Sequence, residues 1–206
     1  MRKSHILLTG ATTYAVSVDE LKAHLRIATT ADDTLLALYS QAAELQAESI
    51  MVGRSVTPKK WGLILDEFPA DDADIELMKA PVSSSATDVV IKYIASSGTT
   101  NTFAAASYAV DTEVEPGRIR LISDSSGDYD EWPDTLDHPR AVQISYMSGC
   151  AAASVPEPIK QWIKMRVGQM YEFREPIVAG EALQTLRRDF IDGLLDKYIV
   201  YPSDYL

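Results

Sequence analysis

Hydrophobic residues recur with the α-helical period near the start of the chain. Ser17 to Glu20 has the S-x-x-E form of a capping box, which predicts a short helix over 18–26. A second, longer helix is predicted over 32–51, and Gly53 lies just beyond it, where a helix commonly ends. This longer helix carries two apolar rows: Leu35, Leu38, Ala42 and Leu45 form one, and Leu36, Tyr39, Ala43 and Ile50 form the other. Two rows indicate that the helix packs on two sides, either with both sides in its own core or with one side against a subunit partner.

The same period returns near the end of the chain. A helix is predicted over 159–173, because an apolar stripe begins at Ile159 and the residue before Pro176 avoids helical backbone angles. The stripe consists of Ile159, Trp162, Ile163, Val167, Met170 and Tyr171. A further helix is predicted over 181–197. The tail Val200 to Leu206 is aromatic and short, which is typical of a segment that either frays or docks on a partner.

Between these helical parts the pattern changes to short segments rich in β-formers. The predicted strands cover 60–65, 74–78, 89–94, 118–122 and 141–146. Two of them, RIRLI and VQISY, alternate apolar and polar residues, so one face is wet and antiparallel ribbons or a small sandwich are favoured.

Strands grouped between helical ends indicate the α+β class. We predict a helical bundle built from the N- and C-terminal segments, with an antiparallel β-rich subdomain inserted between them. The division is 1–54 for the N-terminal helical part, 55–150 for the inserted subdomain, and 151–206 for the C-terminal helical part and tail.

Composition narrows the function classes. The net charge of −11 argues against wrapping nucleic acid by phosphate neutralisation. The chain has no apolar run of roughly 18 residues, so no membrane span is expected. The run Ile6 to Leu8 is shorter than the ~7–15 residues of a signal-peptide core, which makes the cytoplasm of the producing cell the default compartment. Cys150 is the sole cysteine, which rules out an internal disulfide and a cysteine-built zinc site.

Candidate catalytic and metal-binding residues are sparse. The three histidines lack metal-ligand spacing, and Cys150 lacks a nucleophile-turn context. Acidic clusters occur at Asp71–Asp74 and Asp124–Asp130, but Gly127 is misplaced for a calcium-binding EF-hand loop. A solvated turn is the simpler interpretation of each cluster. We therefore expect no catalytic residue, no metal site and no cofactor.

Three stretches of the chain resemble a known family when they are taken in order. Val16 to Glu48 has the form VS-x-DELKAHLRI-x4-DD-x-LL-x2-Y-x2-AA-x4-E, and Val155 to Glu175 has the form VP-x2-IK-x2-IK-x2-VG-x2-YE-x-RE. Between them stand LMKAPV at 77–82, YAVD at 108–111 and ISY at 144–146. In order and spacing these stretches resemble the head–tail connector proteins of tailed bacteriophages, also called head-completion or adaptor proteins. Cys150 departs from the pattern, since an aromatic residue is expected after Gly149.

The resemblance implies a virion structural protein without catalysis. Members of the family form a ring of about a dozen copies beneath the portal, extend the DNA channel and provide a surface for later neck or tail proteins. The expected partners are therefore other copies of the chain, the portal protein and a downstream neck or tail-completion protein. DNA is expected to pass without sequence-specific binding, since an acidic wall repels phosphate. The expected location is the virion neck, and the host cytoplasm before assembly.

For subunit or partner contact, the sequence favours apolar residues on the flanking helices and the tail. These are Leu36, Tyr39, Ala43, Ile50, Trp162, Tyr171, Tyr201 and Tyr205. Each helical residue can equally belong to the core of its own chain. The acidic clusters Asp71–Asp74 and Asp124–Asp130 are candidate channel or docking surfaces.

Two alternatives stay open: a soluble tail-completion or adaptor module that forms no ring, and a small metal-dependent enzyme that uses the acidic clusters.

Overall fold

A computed structural model describes residues 2–83, 88–122, 131–173 and 192–201. In these ranges the chain forms three α-helices and eight β-strands. The helices are α1 (Val18–Leu25), α2 (Asp33–Ile50) and α3 (Glu157–Glu172). The strands are β1 (Lys3–Thr9), β2 (Lys59–Leu65), β3 (Ile75–Leu77), β4 (Val90–Ile94), β5 (Thr100–Thr102), β6 (Tyr108–Asp111), β7 (Gly117–Leu121) and β8 (Val142–Ser148).

The chain divides into two compact units. The β unit comprises 1–11, 58–149 and 200–206, and the helical unit comprises 12–57 and 150–199. Helices and antiparallel strands are both substantial, as the α+β prediction required. The N-terminal segment differs from the predicted division, because β1 pairs with β2 in the β unit. Its side chains are almost all exposed, so β1 lacks the alternating burial by which a strand is identified in a sequence.

The β unit is built from two antiparallel sheets that share one core. The larger sheet has the order β1-β2-β8-β4-β5, and the smaller sheet has the order β3-β7-β6. Alternate residues of both sheets, such as Leu63, Ile91, Ile119 and Ile144, are buried in a single cluster. The smaller sheet therefore covers one face of the larger sheet, as in a sandwich, and the opposite face of the larger sheet is left outside this core.

The helical unit has its own core between α2 and α3. Ser17 caps α1 through the predicted capping box, in which its hydroxyl accepts from the Glu20 N–H and the Glu20 carboxylate accepts from the Ser17 N–H. The left-handed residue after α2 is Val52, with φ 57°, so the predicted role of Gly53 at this end is wrong. The helix predicted over 181–197 falls mainly outside the described residues, and its last part is a short 3₁₀ turn at Asp196–Tyr198. No helix in the described ranges has the length and apolar character needed to cross a membrane.

Candidate subunit and partner interfaces

Three of the residues predicted to contact another subunit lie in the core of the helical unit instead. Leu36, Ala43 and Trp162 are buried and pack in the cluster formed by α1, α2 and α3. The indole N–H of Trp162 donates to Asp192 Oδ1 at 3.1 Å, so its polar atom is also satisfied inside the chain. The prediction of a subunit contact at these three residues is corrected to intramolecular core, because their side chains have no surface to offer.

The remaining predicted contact residues have mixed positions. Tyr39 and Ile50 are half-buried against the same core. Tyr171 is also half-buried, and its hydroxyl donates to Asp32 Oδ2 at 2.7 Å, which ties the end of α3 to the start of α2. Tyr201 is 54% exposed and is the one predicted contact residue in the described ranges that is largely exposed. Tyr205 lies outside the described residues.

The surface of α2 that faces solvent is the other apolar row. We call Leu35, Leu38, Ala42 and Leu45 the outer row. Leu38 is 57% exposed and Leu45 is 48% exposed, and Ala42 lies exposed between them. The sequence showed both rows but gave no direct sign of which one faces the core. The charge pattern points to the wrong row, since the outer row has no charged residue on its side of the helix while Glu44 and Glu48 lie on the buried side.

The inward carboxylates of α2 hold the segments that flank the helix. Glu44 is 1% exposed, and its Oε2 accepts a hydrogen bond from the Ala15 N–H at 2.8 Å while its Oε1 accepts one from the Thr57 hydroxyl. One turn further on, Glu48 Oε1 accepts from the Val56 N–H at 2.7 Å. Buried carboxylates are stable only when hydrogen-bonded, and backbone donors meet that need here. Neither residue was predicted from the sequence to be a core position.

The acidic loop at Asp71–Asp74 is organised by contacts within the β unit. Asp72 Oδ1 accepts from the Trp132 N–H at 3.0 Å, and Asp74 accepts from the Arg120 guanidinium at 2.8 and 3.0 Å. The hydrogen bonds from Arg120 hold the pKa of Asp74 below its ordinary value. The other predicted acidic loop, 124–130, lies outside the described residues. Within the described ranges, no group of three His, Cys, Asp or Glu side chains is placed to hold a metal ion.

The outward face of the larger sheet forms a shallow groove. Its lining includes Ile6 and Leu8 of β1, Lys60 and Gly62 of β2, and Lys92 of β4. Gly62 keeps the groove open, since a Cβ at this position would lie 3.0 Å from Ile6 Cγ1 and 3.4 Å from Leu8 Cδ1. No role was predicted for these residues from the sequence, because the strand that contributes Ile6 and Leu8 was not predicted.

On the other side of β1, His5 is partly buried next to lysines. Burial, followed by the charges of Lys79 and Lys3, lowers the pKa of His5 from its ordinary value of 6.5. The unfolded chain therefore takes up a proton more readily than the folded chain. The stability due to neutral His5 is complete above pH 6.5 and decreases as the pH falls below that value.

The variant His5→Gln is expected to remove this part of the pH dependence. Between pH 7.5 and 5.5, wild type should lose an increment of stability that the variant does not lose. This increment should be below ~1 kcal/mol, because the partly exposed side chain is screened by solvent. Chemical denaturation at a series of pH values measures the difference. His24→Gln, at an exposed histidine of α1, is the matched control. If His5→Gln keeps the full pH dependence of wild type, the assignment to His5 is wrong.

Residues 15–112 match the family model described as phage gp6-like head-tail connector protein. No curated protein matches the chain by sequence. The fold is similar to that of chains in several solved structures. One is the neck of an empty gene transfer agent (GTA) particle computed with C6 symmetry, with a TM-score of 0.71 and 19% identity over 97% of this chain and 96% of that chain.

Two further structures have the same fold. In the virion of a native GTA particle, the similar chain has a TM-score of 0.72 and 20% identity over 96% of each chain. In the neck of a native GTA particle computed with C12 symmetry, the values are 0.68 and 19%, again over 96% of each chain. Both units of this chain are therefore present in those proteins.

Proposed function

We propose that the chain is a structural subunit of a virion neck. The premise is its resemblance to the phage gp6-like head–tail connector family, which the match over residues 15–112 confirms. The similar fold of chains from GTA necks and virions supports this role. The family and the structural neighbours are virion components, which supports a role in assembly rather than in catalysis. In this proposal the protein resides in the virion neck, and in the host cytoplasm before assembly.

The assembled form is a closed ring of about a dozen copies beneath the portal, which extends the DNA channel. Necks computed with C6 and C12 symmetry support a cyclic arrangement of this kind. With a net charge of −11, each copy contributes to an acidic wall that repels phosphate, so DNA passes without being held. The ring binds the portal on one side and a downstream neck or tail-completion protein on the other, and the segment that starts at exposed Tyr201 serves one of these contacts.

We assign different roles to the helical part and to the β-rich part of the chain. The helical unit, 12–57 and 150–199, carries the outer row and with it a contact between copies. The inserted β-rich part, 55–150, carries docking surfaces such as the acidic loop at Asp71–Asp74.

The observation that carries the proposal is the outer row of α2. An exposed helix face normally bears charged side chains, whereas this one exposes Leu38 and Leu45 and keeps Glu44 and Glu48 inside. About half of each leucine is already buried, so covering the rest against a neighbouring copy contributes roughly 1 kcal/mol each. An uncharged helix face of this kind suits a heterologous contact, in which each copy offers a different surface to each neighbour.

The double variant Leu38→Glu/Leu45→Glu is therefore expected to abolish ring formation. Each glutamate places an unpaired charge where the proposed contact excludes water, so the association constant should fall roughly 100-fold or more. Sedimentation velocity and negative-stain microscopy of the purified chain, alone and with the cognate portal ring, measure the effect.

Leu136→Glu is the matched control, because Leu136 is an exposed leucine in a loop of the β unit. This control should assemble as wild type does. A wild-type chain that neither forms rings nor binds the portal at modest salt contradicts the proposed function. Binding to the portal as separate monomers, without a ring, favours a soluble adaptor module instead.

A further inference from the structure

The groove on the larger sheet combines apolar side chains with two lysines. Its apolar lining includes Ile6, Leu8 and Ile64, and its polar lining includes Lys60 and Lys92. No acidic side chain lines it. In a chain with a net charge of −11, a surface with two lysines and no carboxylate attracts acidic partners selectively.

The groove is too small to be a typical small-molecule pocket. Its volume is about 220 Å³. Pockets for drug-sized ligands measure roughly 300–1,000 Å³ and enclose most of the ligand. This depression instead suits the tip of a loop that presents one apolar side chain.

The loop between β6 and β7 presents such a tip. Val114 is 40% exposed, and it lies between the exposed Glu113 and Glu115. The N–H of Glu113 donates to Asp111 Oδ1 at 3.0 Å, which fixes the start of the loop. A loop already held in shape loses less conformational entropy when it binds. One valine between two carboxylates thus matches an apolar groove that carries two lysines.

We propose that the β6–β7 loop of one copy binds in the sheet groove of the next copy. Val114 would contact Ile6 and Leu8, while Glu113 and Glu115 would pair with Lys60 and Lys92. The loop belongs to the smaller sheet, which covers the inner face of the larger sheet, whereas the groove lies on the outer face. Loop and groove are thus different surfaces, and their contact repeats from copy to copy as a ring requires. This inference rests on the proposed ring and names one of its contacts.

Disulfide trapping tests the contact directly. In a Cys150→Ala background, the pair Lys60→Cys and Glu113→Cys is introduced into one chain, which is concentrated under ring-forming conditions and then oxidised. Non-reducing electrophoresis should show a ladder of covalent dimers, trimers and larger species. Each single-cysteine variant should give at most a dimer. Lys60→Cys with Asp137→Cys, at an exposed loop residue, is the matched control and should give no ladder.

Charge reversal provides the second measurement. Glu113→Lys/Glu115→Lys should weaken assembly about 10-fold or more, and adding Lys60→Glu/Lys92→Glu to the same chain should restore it, because both signs are then exchanged. Suppose that wild type forms rings, but the cysteine pair gives no ladder and the fourfold variant does not regain assembly. The loop–groove contact is then overturned, while the proposed ring is still supported. If wild type forms neither rings nor a ladder, the contact and the proposed function are both overturned.

Discussion

Glu44→Ala is expected to lower the free energy of unfolding of the helical unit by about 3–5 kcal/mol. The carboxylate is almost fully buried in the middle of α2, where it accepts hydrogen bonds from the Ala15 N–H and from the Thr57 hydroxyl. Hydrogen bonds to a charged acceptor contribute about 1.5–3 kcal/mol each. Alanine leaves both donors buried without this acceptor, and it also leaves a cavity. Thus a single side chain ties the segment before α1 and the segment before β2 to the same helix.

Urea denaturation followed by circular dichroism at the helical wavelength measures this effect. Ser49→Ala is the matched control, since Ser49 is exposed on the same helix and its loss should change stability by less than about 0.5 kcal/mol. Glu44→Gln should fall between the two, because the amide keeps one acceptor oxygen but loses the charge. A loss below about 1 kcal/mol for Glu44→Ala would contradict the role assigned to the carboxylate.

The helices could be predicted from the sequence because their signals are local. The capping box at Ser17 and Glu20 has both of its hydrogen bonds. The stripe on α3 is buried at Ile159, Trp162 and Val167, as its spacing indicated. Helix ends depend on nearby residues and helix faces depend on a fixed period, so a short window contains both kinds of information.

The orientation of α2 could not be predicted in the same way. Glu44 and Glu48 lie on the side of Leu36 and Ala43, so the sequence suggests that this side is wet. The structure instead buries both carboxylates against backbone N–H groups that come from Ala15 and from Val56. These donors lie on segments that reach α2 only after folding, so no local pattern announces them. The prediction therefore placed Leu36 and Ala43 at an interface, whereas the structure buries them and exposes Leu38 and Leu45.

The β unit was predicted in part for a related reason. Strands with alternating burial, such as β7 and β8, were recognised, whereas β1 and β5 are exposed at almost every position. The order of the larger sheet also places β2 next to β8, which are far apart in sequence. Pairing of distant strands depends on the assembled core, which a single sequence does not display. The groove was missed because it needs β1 beside β2.

Trp132→Ala is expected to lower the free energy of unfolding of the β unit by about 3–5 kcal/mol. The indole ring stacks on Phe68 with centroids 4.9 Å apart, and it lies 5.4 Å from the Phe103 ring at a tilt. Its Nε1–H donates to the Ala73 carbonyl at 3.2 Å. The substitution therefore removes a large buried ring from the aromatic cluster and one hydrogen bond to the acidic loop.

Trp132→Phe separates these two contributions. Phenylalanine keeps most of the stacking but cannot donate to Ala73, so the expected loss is about 1 kcal/mol plus the smaller packing change. The backbone N–H of Trp132 still donates to Asp72 Oδ1 in both variants. Denaturation curves and limited proteolysis at 70–74 report stability and loop order together. If Trp132→Phe is as destabilising as Trp132→Ala, the hydrogen bond to Ala73 contributes more to stability than the packing of the ring. If Trp132→Ala lowers the free energy of unfolding by less than about 1 kcal/mol, the aromatic cluster does not hold the acidic loop.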